Sequence, residues 1–159
     1  MKKILTTGEA LNKAAAYCTL CERCINEVST KLTAWGVPHN EQEAIIARLI
    51  EEKFIDEARY CRAFVNDKVR FNRWGRIKIT ASLREKHLPQ ECIKEALENI
   101  DEDIYMQSLK EVIEIKRKEL KGGDDFATQQ KIIRHASSRG YEPSLIISTI
   151  KYKGDEMDF

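Results

Sequence analysis

Ile55-Asp56-Glu57-Ala58-Arg59-Tyr60 and, 45 residues on, Ile100-Asp101-Glu102-Asp103-Ile104-Tyr105 carry Ile, Asp, Glu and Tyr at matching places. Self-similarity at a fixed offset is the mark of a repeat architecture. A second pattern supports it, with apolar side chains at i, i+1, i+4 and i+5. It occurs at Ile45, Ile46, Leu49 and Ile50, again at Cys92, Ile93, Ala96 and Leu97, and again at Leu145, Ile146, Thr149 and Ile150, where Thr149 is the weak member. That spacing is one face of an α-helix and is incompatible with the two-residue period of a strand.

The punctuation recurs as well. Each proline precedes one of these segments: Val37-Pro38, Leu88-Pro89 and Tyr141-Glu142-Pro143. Gly36 and Gly140 stand where a helix C-terminus needs a left-handed residue. Pro89 and Pro143 suit a first helical turn, where the missing N–H is no loss. Asn40 with Glu43 reads as a capping box. The Gly122-Gly123-Asp124-Asp125 run supplies a break and an N-cap.

The chain therefore reads as all-α, with three tandem three-helix repeats at 1–54, 55–100 and 101–153 and an acidic tail at 154–159. Helices are expected at 8–20, 24–35 and 41–53, at 56–72, 75–87 and 90–99, and at 102–120, 125–139 and 143–152. The β-branched run Arg76–Leu83 is assigned to helix because its counterparts in the other repeats are helical. Stacked repeats of this kind should form an elongated, curved array in which each unit packs on its neighbours.

Composition agrees. The 159 residues (18.4 kDa) include only seven glycines and three prolines, and one third of them are charged. Leu, Ile, Val and Phe together number 39, too many for a disordered chain. Met1-Lys2-Lys3-Ile4-Leu5 begins like a signal peptide, but Glu9, Asn12 and Lys13 interrupt the required apolar stretch. A cytoplasmic location is expected, with the five cysteines as reduced thiols.

Charge is concentrated in the middle repeat. Arg59, Arg62, Lys68, Arg70, Arg73, Arg76, Lys78, Arg84 and Lys86 are opposed within their own stretch only by Asp67 and Glu85, a surplus of seven positive charges in a chain whose net charge is +1. At 100° per residue, Arg59, Arg62, Asn66, Arg70 and Arg73 share a face about 80° wide, and Tyr60, Cys61, Phe64 and Phe71 lie opposite. An ordinary charge run is a solvated helix face. Here four arginines share one face without a matching row of Glu, and we read these nine residues as a partner- or DNA-binding surface for phosphates or carboxylates.

No catalytic constellation accompanies it: no Gly-rich phosphate loop, HExxH or GxSxG. Cys18, Cys21 and Cys24 form CxxCxxC, but Val28 stands where a fourth iron–sulfur ligand belongs, and the three histidines (His39, His87 and His135) are scattered. These cysteines read as small packing residues; no metal and no cofactor is expected. His87 reads as a cap, Trp35 and Trp74 as anchors at helix junctions.

On these residues the chain resembles the RecX family of bacterial regulatory proteins, modulators of the RecA recombinase. The stretch Ile55–Leu88 carries it: Asp56, Arg59 and Tyr60, the basic helix, then Gly75, Arg76, Ile79, Leu83 and Lys86. Arg139-Gly140-Tyr141 resembles the family's Arg-Gly-aromatic turn, and Glu27, Lys31, Leu32 and Gly36 match more loosely. His87 stands where the family usually has Gly, and Cys24 where it often has Ser. The resemblance implies a monomeric, non-enzymatic regulator. It would lie in the groove of the RecA filament on single-stranded DNA and inhibit recombination and the SOS coprotease activity. A directly DNA-binding helical protein, or a scaffold for another partner, is the alternative. The acidic third helices of the first two repeats speak against a recognition helix.

Overall fold

The expected helices form, and in nearly the expected places. The computed structural model describes residues 4–121 and 123–156, without the side chains of 152–156. The helices are α1 (Thr7–Leu20), α2 (Ile25–Ala34), α3 (His39–Glu51), α4 (Glu57–Asp67), α5 (Arg76–Glu85), α6 (Gln90–Glu98), α7 (Glu102–Leu120), α8 (Phe126–Ser138) and α9 (Pro143–Glu156). Among the described residues there is no strand, and Arg76–Leu83 lies in α5. No helix among them is long and apolar enough to cross a membrane. The helix expected to stop at 152 runs on through Glu156. Lys2, Lys3, Gly122 and the end of the acidic tail at 157–159 lie outside the described residues.

Helix ends explain why the repeat was visible. Gly36, Lys53, His87 and Gly140 each have positive φ (81°, 64°, 59° and 94°). After each, an apolar residue donates its N–H back six-to-one into the preceding helix: Val37 to Leu32 O (2.9 Å), Phe54 to Leu49 O (2.8 Å), Leu88 to Leu83 O (3.2 Å), Tyr141 to Ala136 O (3.3 Å). This is the Schellman arrangement, which satisfies carbonyls that the helix leaves unpaired. His87 thus takes the cap position in the left-handed conformation that glycine would adopt without strain. At the other ends Asp101 accepts from Asp103 and Ile104 N–H, and Asp125 from Thr128 N–H. The capping box expected from Asn40 and Glu43 does not form: α3 begins two residues earlier, at His39, and its N-cap is Pro38. Pro89 immediately precedes α6, whereas Pro143 is the first residue of α9.

By packing, the chain divides into two compact units, Met1–Ala63 with Leu83–Ala96, and Phe64–Ser82 with Leu97–Phe159. The cuts pass through α4, α5 and α6, so the middle repeat contributes to both. In the first unit Ala10, Ala14 and Cys18 of α1 pack with Val28 and Leu32 of α2, Ile45 and Leu49 of α3, and Val37 and Ile55 from the connections. These are the positions at helical spacing, and their burial drives the assembly. Gln42 is buried among them. Its amide donates to Thr33 Oγ1 and Val37 O, both at 3.0 Å, and accepts from Ser29 Oγ at 3.0 Å. Trp35 packs partly buried on this core with its ring edge against Tyr17 at 6.4 Å.

In the second unit α7 is the central helix, burying Tyr105, Leu109, Val112 and Ile113 against α8 and the segment after α4. That segment, Lys68–Asn72, is a π-helical turn.

Candidate partner-binding surface

The cysteines do not assemble a site. Cys18 and Cys24 are buried, Cys21 is exposed, and no group of three or more His, Cys, Asp or Glu suited to a metal occurs among the described residues. Cys24 is the N-cap of α2, where its N–H donates to Glu27 Oε1 at 3.2 Å, and burial pushes its thiol up to about 11. It therefore does the work of a capping serine with a neutral thiol. Burial pushes Cys61 up to about 12.

The nine basic residues fall into two groups. Five meet carboxylates. Arg59 Nε lies 2.5 Å from Glu22 Oε1, and its Nη2 donates to Lys53 O at 3.0 Å. Arg62 pairs with Glu95 (2.7 Å), Arg73 with Glu111 (2.8 Å) and Lys86 with Glu27 (3.9 Å). Arg76, the most buried of these five, pairs with Glu102 and with Glu142 (2.7 Å) and lies 4.0 Å above the Tyr105 ring. The Arg73 guanidinium lowers the Glu111 pKa. The row of Glu missing from the sequence around the stripe is thus supplied by other elements, and the stripe is not an unopposed line of charge.

Lys68, Arg70, Lys78 and Arg84 have no carboxylate partner among the described residues. Arg70 is steadied by neutral Asn66, with Nε 2.7 Å from Oδ1, and Arg84 touches Gln90 at 3.5 Å. Lys68 Nζ lies 5.3 Å from the Phe64 ring and 4.7 Å from the Trp74 ring, and Lys78 Nζ lies 4.4 Å from the Trp74 ring. Phe64 and Trp74 meet edge to face at 6.5 Å. Cation–π attraction holds both ammonium groups in place without neutralising them.

The π turn creates this cluster. It inserts an extra residue into the helical period, so the face drawn through Arg59, Arg62, Asn66, Arg70 and Arg73 does not continue past Asp67. Arg73 takes φ 52° and ends the turn. Phe71, expected on the buried side with Tyr60, Cys61 and Phe64, is 75% exposed, whereas Tyr60 and Cys61 are buried as expected. Nearby in sequence, Ile77 is 53% exposed. Beside the turn a cleft of about 340 Å³ is lined by Val69, Arg70, Asp103, Ile104, Gln107 and Glu111, with Ser108 among its walls. Sequence reasoning placed Phe71 on the buried side because it extended a regular 3.6-residue period through the turn, and it assigned Ile77 to no face. Lys68 and Lys78 share the Trp74 ring, and Arg70 and the exposed Phe71 belong to the same turn, so this segment offers three cations without a carboxylate partner among the described residues, beside apolar groups. Such a surface can meet carboxylates or phosphates through the cations and an apolar patch through Phe71.

Comparison with known proteins matches this region. Residues 56–97 fit the family model described as RecX, second three-helix domain. The chain is 27% identical over 144 residues to the regulatory protein RecX of Prosthecochloris aestuarii, covering 91% of this chain and 93% of that one. It is 31% identical over 117 residues to regulatory protein RecX of Clostridium tetani, covering 72% of this chain but 53% of that one. With regulatory protein RecX of Clostridium botulinum it is 29% identical over 156 residues, 94% of this chain and 72% of that one. The crystal structure of RecX from Lactobacillus salivarius superimposes with a TM-score of 0.81 over 94% of this chain and 96% of that one, at 20% identity. A second crystal structure, of regulatory protein RecX, gives 0.79 over 91% of this chain and 73% of that one, also at 20% identity. These structures share its fold. The chain belongs to the RecX family of regulatory proteins.

Proposed function

We propose that the chain binds the RecA filament on single-stranded DNA and inhibits RecA activities, recombination and the SOS coprotease among them. In this reading it acts as a cytoplasmic monomer that catalyses no reaction and needs no cofactor. The observation that carries the reading is the π-turn surface, where Lys68, Arg70 and Lys78 lack carboxylate partners among the described residues and Phe71 is exposed. DNA phosphate in the filament, or carboxylates on its protein surface, would complement these cations. Arg84 is a weaker contact candidate. Arg59, Arg62, Arg73, Arg76 and Lys86 would act mainly by holding their own helices, because their charges are already met.

The test is binding of the full chain to RecA–DNA filaments and to naked single-stranded DNA at physiological salt. The reading expects filament binding that naked DNA does not reproduce. Equal binding to naked DNA, falling steeply as salt rises, would make the chain a direct DNA-binding protein instead.

A further inference from the structure

A π turn leaves backbone groups without their usual helical partners. Here groups in and just after the turn are taken by the Arg139–Tyr141 segment and by Ser108 of α7. Arg139 Nη2 donates to Asn72 O, and Arg139 Nε donates to Arg73 O at 3.3 Å. In return Gly75 N–H donates to Arg139 O (2.8 Å) and Ile77 N–H to Gly140 O (3.0 Å). Ser108 Oγ donates to Val69 O at 3.1 Å and lies 2.7 Å from the hydroxyl of the buried Tyr141. Within the turn, Trp74 N–H closes on Lys68 O at 3.0 Å. The Arg139-Gly140-Tyr141 turn and the π turn are thus joined in both directions, and the residues they fix, Lys68, Phe71, Trp74 and Lys78, are those of the binding surface.

We infer that Arg139 is a positioning residue: its guanidinium fork holds the carbonyl ends of the π turn and thereby sets the geometry in which Lys68, Phe71 and Trp74 meet the partner. The inference rests on the reading of that surface as the filament contact. A planar fork with several donors can span two successive carbonyls; a lysine ammonium is a point charge on a flexible stem and cannot hold both in one geometry. The third repeat then acts, through Arg139, as the frame of the contact rather than as a second charged surface.

Arg139→Lys tests this, because it preserves the charge and removes the fork. The Trp35→Phe background leaves Trp74 as the only fluorophore of its kind in the chain. The expected result is a change in Trp74 emission and greater quenching by acrylamide, with helicity retained by circular dichroism, and filament binding weakened about tenfold. Arg139→Ala should show the same changes more strongly; if it does not fold, Arg139→Lys carries both readouts. Wild-type Trp74 emission in a folded Arg139→Lys overturns the inference whatever the binding. So does altered emission with wild-type binding, provided Phe71→Ala in the same background binds weakly. Full binding by both Phe71→Ala and Lys68→Glu would instead sink the filament-contact reading, and the inference with it, while the emission still reports whether the fork holds the turn.

Discussion

Gly75 and Gly140 pack backbone against backbone. A Cβ on Gly75 would overlap the carbonyl group of Gly140 and the amide of Tyr141, and a Cβ on Gly140 would overlap Lys78. Gly140 also has φ 94°, a conformation hostile to L side chains. Gly36 has φ 81° but open space around its Cα. The two positions therefore separate backbone strain from steric exclusion. Gly36→Ala should cost about 1 kcal/mol and Gly140→Ala about 3 kcal/mol or more, read by urea denaturation at equilibrium. Equal costs at the two sites would mean that the approach of the turns contributes nothing.

Gln42 tests the buried polar network of the first unit. Its amide satisfies Val37 O in an apolar surrounding. Gln42→Ala leaves that carbonyl and two hydroxyl groups without their partner and opens a cavity, so a loss of about 2–3 kcal/mol is expected. A loss below about 0.5 kcal/mol, the range of neutral surface changes, would contradict it.

His135 makes stability depend on pH. Burial lowers its pKa, Lys116 and Arg139 lower it further, and Glu119 opposes them. The folded state thus disfavours the proton relative to the unfolded chain. Stability should be full above the ordinary value of 6.5 and fall as pH drops below it, because the unfolded state then binds more protons. Comparing wild type with His135→Asn at pH 7.5 and pH 5 isolates this contribution. A drop of equal size in both proteins would assign the pH dependence to other groups.

Thiol accessibility provides an independent check on the packing. Cys21 is exposed, whereas burial raises Cys18, Cys24, Cys61 and Cys92. An aromatic disulfide reagent should label Cys21 first in the native protein and reach Cys24 and Cys61 only on unfolding. Rapid native labelling of Cys61 would contradict its place in the core. Cys24→Ser should keep α2 capped and cost little.

Much of the architecture was legible because it is local. The i, i+1, i+4, i+5 apolar sets located α3, α6 and α9, and Gly36, Gly140 and Asp125 marked ends where backbone geometry or capping demands those residue types. A helix end was placed at 53, but the left-handed conformation of Lys53 was not recognised, since nothing in its side chain announces it. The candidate surface was only half legible. The cluster of positive charge was plain, but whether a given arginine is free depends on carboxylates distant in sequence: Glu22 for Arg59, Glu95 for Arg62, Glu111 for Arg73 and Glu142 for Arg76. The π turn was not legible at all. It is held by Ser108 and Arg139 from elsewhere in the chain, and no residue between Lys68 and Asn72 requires it.

The central claim is that uncompensated cations on the π turn bind the filament. The most direct measurement is suppression of RecA's DNA-dependent ATP hydrolysis by wild type, by the double reversal Lys68→Glu with Arg70→Glu, and by Arg62→Glu. Arg62 is a partly exposed cation already paired with Glu95, so its reversal adds the same kind of charge away from the π turn. Exposed charges contribute little to folding, and both variants should remain helical. We predict that the double reversal loses suppression by at least about tenfold in the concentration required, while Arg62→Glu stays close to wild type. A folded double reversal that suppresses RecA as well as wild type would contradict the account and move the contact away from the π turn.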